Sequence, residues 1–481
     1  MKSKSWISPF LVQCFVTAGV SINMSNMGLV MGFTAVLLPQ LKSQDSMLEV
    51  DDSAGSWIAA LPSFGIIAGN FIVPPIMSKY GRKIANLTSV LGCIVGWVCI
   101  VLSNTVNIMI AARFLQGISI GMITTLGPVL IGEYTSPRNR GAFLMTISIS
   151  ISIGVFVIHT MGIYINWQIC SYVCIGIAIA DIIIVILSPE SPSWLAEQRR
   201  YEECKYVFRY LRGDKEEEEL EKMIAATIVT EVYEDITTHD NIGEKVNNSV
   251  RYVKETVKNR TFYLPVFIMF HVFAMAQWSG INILTSYLVD LTENLVGSES
   301  DIALTIISTD VLRILSNIVG LVLVKKMRRR LLIFVTVGIN LATLIFISGY
   351  SFAKQTILLQ NDYPYIGMLL IYLQMFSIAI GALPMAYVLA GEVFPLKYKG
   401  LCGGITTFCM SMNLFISMKT IILLFNTIGF SGTYLLYSGL VLYCLIIVGI
   451  FLPETKDRTL LDIEEEFRGK KLTVDCSMKN I

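Results

Sequence analysis

The sequence predicts an all-α membrane protein of twelve transmembrane helices, built as two similar halves joined by a polar insert. Two observations carry this. Of 481 residues, 54% are hydrophobic and only 15% charged, and apolar stretches of about 20 residues, the length that crosses a hydrocarbon core, recur along the chain. The second observation is a repeat. Between Arg113 and Gly141 the chain reads RFLQGISIGMITTLGPVLIGEYTSPRNRG, an apolar run spaced by glycine that stops at Gly132-Glu133 and continues into Pro137, Arg140 and Gly141. Gly391-Glu392 closes another such run and is followed by Pro395, Lys399 and Gly400. Gly81-Arg82-Lys83 is echoed by the basic run 328–330, and Pro189-Glu190-Ser191 by Pro453-Glu454-Thr455.

Hydropathy places the helices at about 10–38, 54–77, 85–104, 107–132, 141–163, 167–187, 261–290, 301–324, 331–352, 364–391, 400–424 and 429–452. The first follows a basic start, MKSKSWISPFLVQCF, that lacks a small-residue cleavage site and reads as a signal-anchor. The second ends before Gly81-Arg82-Lys83, after which the third begins, and the fourth is the glycine-spaced run ending at Glu133. Arg140-Gly141 opens the fifth, and the sixth stops before Pro189. The seventh carries Gln277-Trp278-Ser279-Gly280-Ile281-Asn282, the eighth ends before Lys325, and the ninth follows Arg330. Gly381, Pro384 and Gly391 permit an interrupted tenth helix; the eleventh starts after Lys399 and the twelfth stops at Pro453.

An even number of spans puts both termini on one side. Lys79, Arg82, Lys83, Arg138, Arg140, Lys325, Lys326, Arg328, Arg329, Arg330, Lys397 and Lys399 share that side, against Lys42 and Lys354 opposite, so it is cytoplasmic. The units are 1–188, 189–260, 261–452 and 453–481. Charge is dense from Ser188 to Arg260, in a pattern of short amphipathic helices, as a compliant linker between two tilting bundles requires. The last unit is a short polar tail.

Glu133 with Arg140, and Glu392 with Lys399, place an acid at one helix end and a base at the start of the next. Charges at this depth need partners, so opposite signs are expected to meet across the cytoplasmic mouth, either as static salt bridges or as a latch, with Arg82 beside them. Gln277 and Asn282 lie about 140° apart at helical pitch, so a break at Gly280 helps both amides reach one cavity. Such amides suit a neutral polyhydroxyl ligand, or serve as interhelical glue. Asn413 in the eleventh span has the same two readings, and Tyr387 in the tenth offers an aromatic face and a hydroxyl. The lone ionisable groups inside apolar runs are His159, Asp181, His271, Asp310, Arg313 and Lys419. Asp310 and Arg313, three apart, are expected to pair; Lys419 reads as a substrate ligand or an internal counter-charge.

A net charge of +1 gives no nucleic-acid footprint. Eight of the ten cysteines sit in apolar runs without ligand-like spacing, which makes them buried thiols. With no phosphate-binding glycine loop, nucleophile elbow or His/Cys cluster, the chain reads as a carrier and not an enzyme, with no cofactor and no metal.

At these residues the chain resembles the sugar porter family of the major facilitator superfamily. The motifs are Gly81-Arg82-Lys83; Arg113 with Gly117 and Gly121; Glu133 with Arg140-Gly141; Pro189-Glu190-Ser191-Pro192 with Trp194-Leu195; Gln277 with Gly280 and Asn282; Gly391-Glu392 with Pro395; and Pro453-Glu454-Thr455-Lys456. Ser56-Trp57-Ile58 and Lys419-Thr420 fit the insect trehalose-carrier branch. The resemblance implies the major facilitator fold, two six-helix bundles related by a pseudo-twofold axis. It implies alternating access, with a neutral sugar (trehalose or a hexose) held near the midplane by Gln277, Asn282 and Asn413, and packed on Tyr387. Arg82, Glu133, Arg140, Glu392 and Lys399 fall on the cytoplasmic gate. The implied setting is a monomer in the plasma membrane, its partners the sugar and the bilayer.

The chain departs from that family at Ala276, where a second glutamine is usual, at Tyr387 in place of a tryptophan, at Lys399 in place of an arginine, and at His159, often a glutamine and the fifth substrate-binding candidate. Gly32-Phe33-Thr34-Ala35 replaces the carboxylate of proton-coupled members, which implies facilitated diffusion. The rivals are a proton-coupled symporter of a polyol or other polar solute, using His159 or Asp181, and a non-transporting sugar sensor; the short tail argues against the latter.

Overall fold

The computed structural model describes residues 8–43, 48, 50–237, 259–297, 302–356, 363–395, 399–456, 458 and 460–468, and among them every regular element is a helix. The first half holds six spans: Pro9–Leu41, Asp52–Tyr80, Arg82–Val101, Val106–Tyr134, Pro137–Tyr164 and Trp167–Leu187. Three further helices, Pro192–Glu197, Tyr201–Arg212 and Glu217–Thr237, follow the sixth span. Tyr201–Arg212 buries Cys204, Phe208 and Leu211 and leaves its charged face in water.

The second half departs from straight helices in three places. The seventh span is Arg260–Trp278, Ile281–Ser286 and Leu288–Leu295, broken at Gly280 (φ 93°) and again at Tyr287 (φ −135°, ψ 30°). It therefore continues past 290, where a single helix was expected to end. The eighth and ninth are Ile302–Lys326 and Arg329–Gln355. The tenth runs through Pro364–Ser377 into a π-helical turn, Ile378–Ala382, and on through Leu383–Val393. Pro384, just past that turn, lacks an N–H for the carbonyl one turn back, so the helix widens where the sequence suggested an interruption. The last helical element, Lys399–Phe451, has 53 residues and non-helical angles at Gly429 (φ 74°, ψ 175°). At 1.5 Å per residue it is about 80 Å long, twice a bilayer crossing, so 399–428 and 430–451 are the eleventh and twelfth spans. Eleven apolar stretches, the last counted twice, make twelve crossings.

Glycine spacing in the fourth span has a packing cause. A Cβ at Gly117 would stand 2.1 Å from the Pro62 carbonyl oxygen, and one at Gly121 2.2 Å from that of Ile66, so the second and fourth helices touch backbone to backbone.

Candidate functional site

The break at Gly280 gathers the mid-membrane amides. Asn282 Nδ2 donates to the Gln277 carbonyl (3.1 Å), to Gln277 Oε1 (3.4 Å) and to Ser417 Oγ of the eleventh span (3.0 Å). Trp278 Nε1 donates to Asn413 Oδ1 (3.2 Å), and its ring meets Tyr437 edge-on at 5.1 Å. Asn413 Nδ2 donates within its own helix to the Cys409 carbonyl (2.9 Å), so that amide is engaged at both ends. Among the described residues, Gln277 Nε2, Asn282 Oδ1 and the Tyr387 hydroxyl have no hydrogen-bond partner. Tyr387 is 47% exposed, its ring 6.2 Å from Phe273 of the seventh span. Gln277, Asn282 and Asn413 are thus brought together, and His159 is not among them.

His159 lies between the halves. Its Nδ1 is 2.6 Å from Asp310 Oδ2 on the eighth span, and its Nε2 is 3.1 Å from the Thr285 carbonyl oxygen. This corrects the expected Asp310–Arg313 pair: Arg313 donates instead to Thr285 Oγ1 (3.2 Å). Three residues of separation put Asp310 and Arg313 on one face, but the register of the fifth span against the eighth offers Asp310 a nearer donor.

At the end where the first span begins, the two acids Glu133 and Glu392 sit in matching clusters. Arg82 reaches Glu133 (3.2 Å) and Glu197 (2.9 Å), while Ser191 Oγ donates to Glu133 and the backbone N–H groups of Arg82 and Lys83 donate to Glu190 (3.0 and 3.1 Å). In the second half Arg329 reaches Glu392 (2.9 Å), Thr455 Oγ1 donates to Glu392 (2.6 Å), and the N–H groups of Arg329 and Arg330 donate to Glu454 (2.8 and 3.2 Å). Glu133 therefore pairs with Arg82 and not with Arg140, because the start of the third helix abuts the end of the fourth. Arg140 turns to the segment after the sixth span, where Glu216 is an electrostatic neighbour. The side chain of Lys399 lies outside the described residues. Burial pushes the Glu190 carboxyl above the ordinary glutamate value despite its three N–H donors. Burial also raises Glu454, but the N–H groups of Lys456, Arg329, Arg330 and Thr455 outweigh it and leave that carboxyl below.

The opposite end is tied across the halves. Lys419 Nζ donates to Ser56 Oγ (2.6 Å) and sits 3.8 Å from the centre of the Trp57 ring, which places the lysine on the second span. Asn426 donates to Asp52 (2.8 Å), and Asp52 pairs with Lys42 (2.6 Å). Deeper, Asn317 donates to Ser152 (2.9 Å) and Ser286 to the Met31 carbonyl (3.3 Å). Arg113 is wholly buried, and its guanidinium is held by neutral acceptors: the carbonyls of Val30 (2.8 Å) and Ile58 (3.1 Å), Thr34 Oγ1 (2.7 Å) and Gln116 Oε1 (3.0 Å).

Sequence reasoning quoted Glu190, Ser191, Glu454 and Thr455 without giving them partners. The signal was there: each acid–hydroxyl pair follows a Pro and recurs in both halves downstream of a basic loop, 108 positions from Arg82 and 125 from Arg329.

The model of the family described as "Sugar (and other) transporter" matches residues 11–467. The facilitated trehalose transporter of Aedes aegypti is 24% identical over 471 residues, which are 96% of this chain and 56% of that protein. The facilitated trehalose transporter of Bombyx mori is 25% identical over 455 residues, 94% of this chain and 86% of that protein. The chain thus spans little more than half the length of the first relative. Among solved structures, the proton:xylose symporter XylE bound to 6-bromo-6-deoxy-D-glucose superposes with a TM-score of 0.74 at 16% identity, covering 96% of this chain and 100% of that one. The inward-open xylose transporter XylE from E. coli gives 0.72 at 17% identity, covering 95% and 100%. These structures share the fold.

Proposed function

The chain belongs to the sugar transporter family of the major facilitator superfamily, and from that premise we propose that it carries a neutral sugar, trehalose or a hexose, down its gradient by alternating access. The observation that carries the reading is the pair of unpartnered neutral groups at the seventh-span break, Gln277 Nε2, which donates, and Asn282 Oδ1, which accepts, with the Tyr387 hydroxyl, also unpartnered and able to do both, on the tenth span beside Phe273. A sugar hydroxyl needs both roles, and no charge. Asn413 orients Trp278 against the same space. Net worth of about 1 kcal/mol per neutral hydrogen bond holds the solute weakly enough to leave.

Arg113 supports the facilitative mode. All four of its acceptors are neutral, so no carboxylate beside it exchanges a proton as the carrier turns over. The basic loops put both termini in the cytoplasm, with the protein in the plasma membrane. The clusters around Arg82–Glu133 and Arg329–Glu392, with Arg140 and Lys399 flanking them, then form the inner gate, and the contacts of Lys419, Ser56, Asp52 and Asn426 close the outer side.

The test is uptake of radiolabelled trehalose and glucose by oocytes expressing the chain, with and without Gln277→Ala. The expected result is saturable entry that levels off at the external concentration even under an inward proton gradient, with KM about fivefold higher in the variant for a loss of about 1 kcal/mol. Absence of entry despite surface expression rejects the sugar, and accumulation above the external concentration rejects the facilitative mode.

A further inference from the structure

The His159–Asp310 contact joins the two halves inside the membrane, and its geometry specifies a proton. A neutral imidazole has one donating nitrogen and one accepting nitrogen. Here both nitrogens face oxygen acceptors, Asp310 Oδ2 at 2.6 Å and the Thr285 carbonyl at 3.1 Å. Both ring nitrogens are satisfied either by an imidazolium against a carboxylate, or by a neutral ring that accepts from a protonated Asp310 and donates to Thr285, while Asp310 Oδ1 has no hydrogen-bond partner among the described residues. Both carry one proton more than neutral histidine with ionised aspartate, so the count belongs to the pair whichever microstate holds it.

The pair is buried, and a cavity reaches it. His159 is 3% and Asp310 0% exposed. A cavity of about 310 Å³ borders His159, walled by Gln40 and Gly162 of the first half and Leu288 and Ile306 of the second. Arg313 lies one turn from Asp310 and donates to the Thr285 hydroxyl, while Arg113 of the fourth span and Tyr287 of the seventh are electrostatic neighbours of each other. The first span approaches through Gly32, whose added Cβ would lie 3.2 Å from His159 Nε2, and it contributes no charged residue over Pro9–Leu41.

We propose that His159 and Asp310 form a proton-binding latch between the halves, so that closing the outer side of the carrier takes up one proton and opening it returns that proton to the outside. This rests on the carrier reading above. His159 is five residues from the outer end of the fifth span and Asp310 eight from the outer start of the eighth, so outer opening parts them. Closed, the pair holds one proton more than a neutral histidine and an ionised aspartate held apart, so acid favours the closed form, by at most about tenfold per pH unit for a single proton. The proton gates the carrier without crossing with the sugar.

The experiment measures KM for external sugar between pH 5.5 and 8.5 in proteoliposomes holding wild type, His159→Gln or Asp310→Asn. Wild-type KM is expected to rise on acidification, by up to about tenfold per pH unit before levelling, and both variants to be flat. A flat wild-type profile, or an unchanged slope in a variant that reaches the membrane folded, overturns the latch and leaves the sugar reading standing. Sugar that fails to move at any pH overturns the sugar reading instead. The latch is then judged by hydrogen exchange of backbone amides 155–164 and 302–312 in the purified protein. Protection that grows on acidification in wild type but not in His159→Gln supports it, and equal profiles reject it.

Discussion

Gly280→Ala tests the architecture of the proposed sugar site at one atom. Gly280 has φ 93° and ψ 4°, left-handed backbone that costs a residue with a Cβ about 1–2 kcal/mol. The added Cβ would stand 2.1 Å from Gln374 Nε2, which donates to the Ser279 carbonyl at 3.3 Å. Gln374 is itself wholly buried and has nowhere to retreat, so its hydrogen bond, worth about 1 kcal/mol, is lost as well. The sum is about 2–3 kcal/mol, and the chain relieves it only by rewinding the break that brings Gln277 and Asn282 together. KM for the transported sugar is expected to rise about 30-fold or more, together with a lower thermal midpoint in detergent. Gly391→Ala is the matched control: its φ is not left-handed and no atom lies within 4 Å of the added Cβ, so it keeps wild-type uptake and gains up to about 1 kcal/mol of helix propensity. If Gly280→Ala and Gly391→Ala behave alike in both assays, the break does not build the site.

Two further predictions concern carboxylates. Glu454 is held below its ordinary value, so its ionised form stabilises the fold at neutral pH and that contribution fades as pH falls through its folded value; Glu190, held above, favours its neutral form. Glu454→Gln is therefore expected to lower the thermal midpoint at pH 7.5 more than Glu190→Gln, with the gap narrowing toward pH 4.5, and the reverse order refutes the assignment. Asp181 is wholly buried in the sixth span and neither carboxyl oxygen has a hydrogen-bond partner among the described residues. Asp181→Asn removes a carboxyl that an apolar bundle disfavours, so the midpoint is expected to rise, and a clear fall exposes a partner that the carboxylate serves.

What was legible in the sequence was whatever depends on one helix at a time or on the repeat. Span lengths follow from hydropathy because an unpaired backbone in lipid leaves the chain no option but a helix. The break at Gly280 followed from a glycine set between amides that could not otherwise share a face. The basic loops and acidic helix ends were read correctly as needing partners, but the partners were assigned along the chain: Arg140 for Glu133, Arg313 for Asp310. In both cases neighbours in space won. Arg82 enters from the start of the third span, and His159 from the opposite half, 151 positions away.

A buried charge selects the donor that desolvated packing presses against it, and sequence separation does not enter that choice. The same rule explains Lys419, whose ammonium rests on the Trp57 ring and the Ser56 hydroxyl, 363 positions back. Cross-half contacts run from Lys419 and Asp52 at one end to Asn317–Ser152 and Asn70–Ser411 deeper in the interface, whereas the described pairs of Arg82, Glu133, Arg329 and Glu392 are made within their own halves. Pairs within one half do not change when the halves move apart, so the groups able to sense which side is open are the cross-half ones, His159 and Asp310 among them.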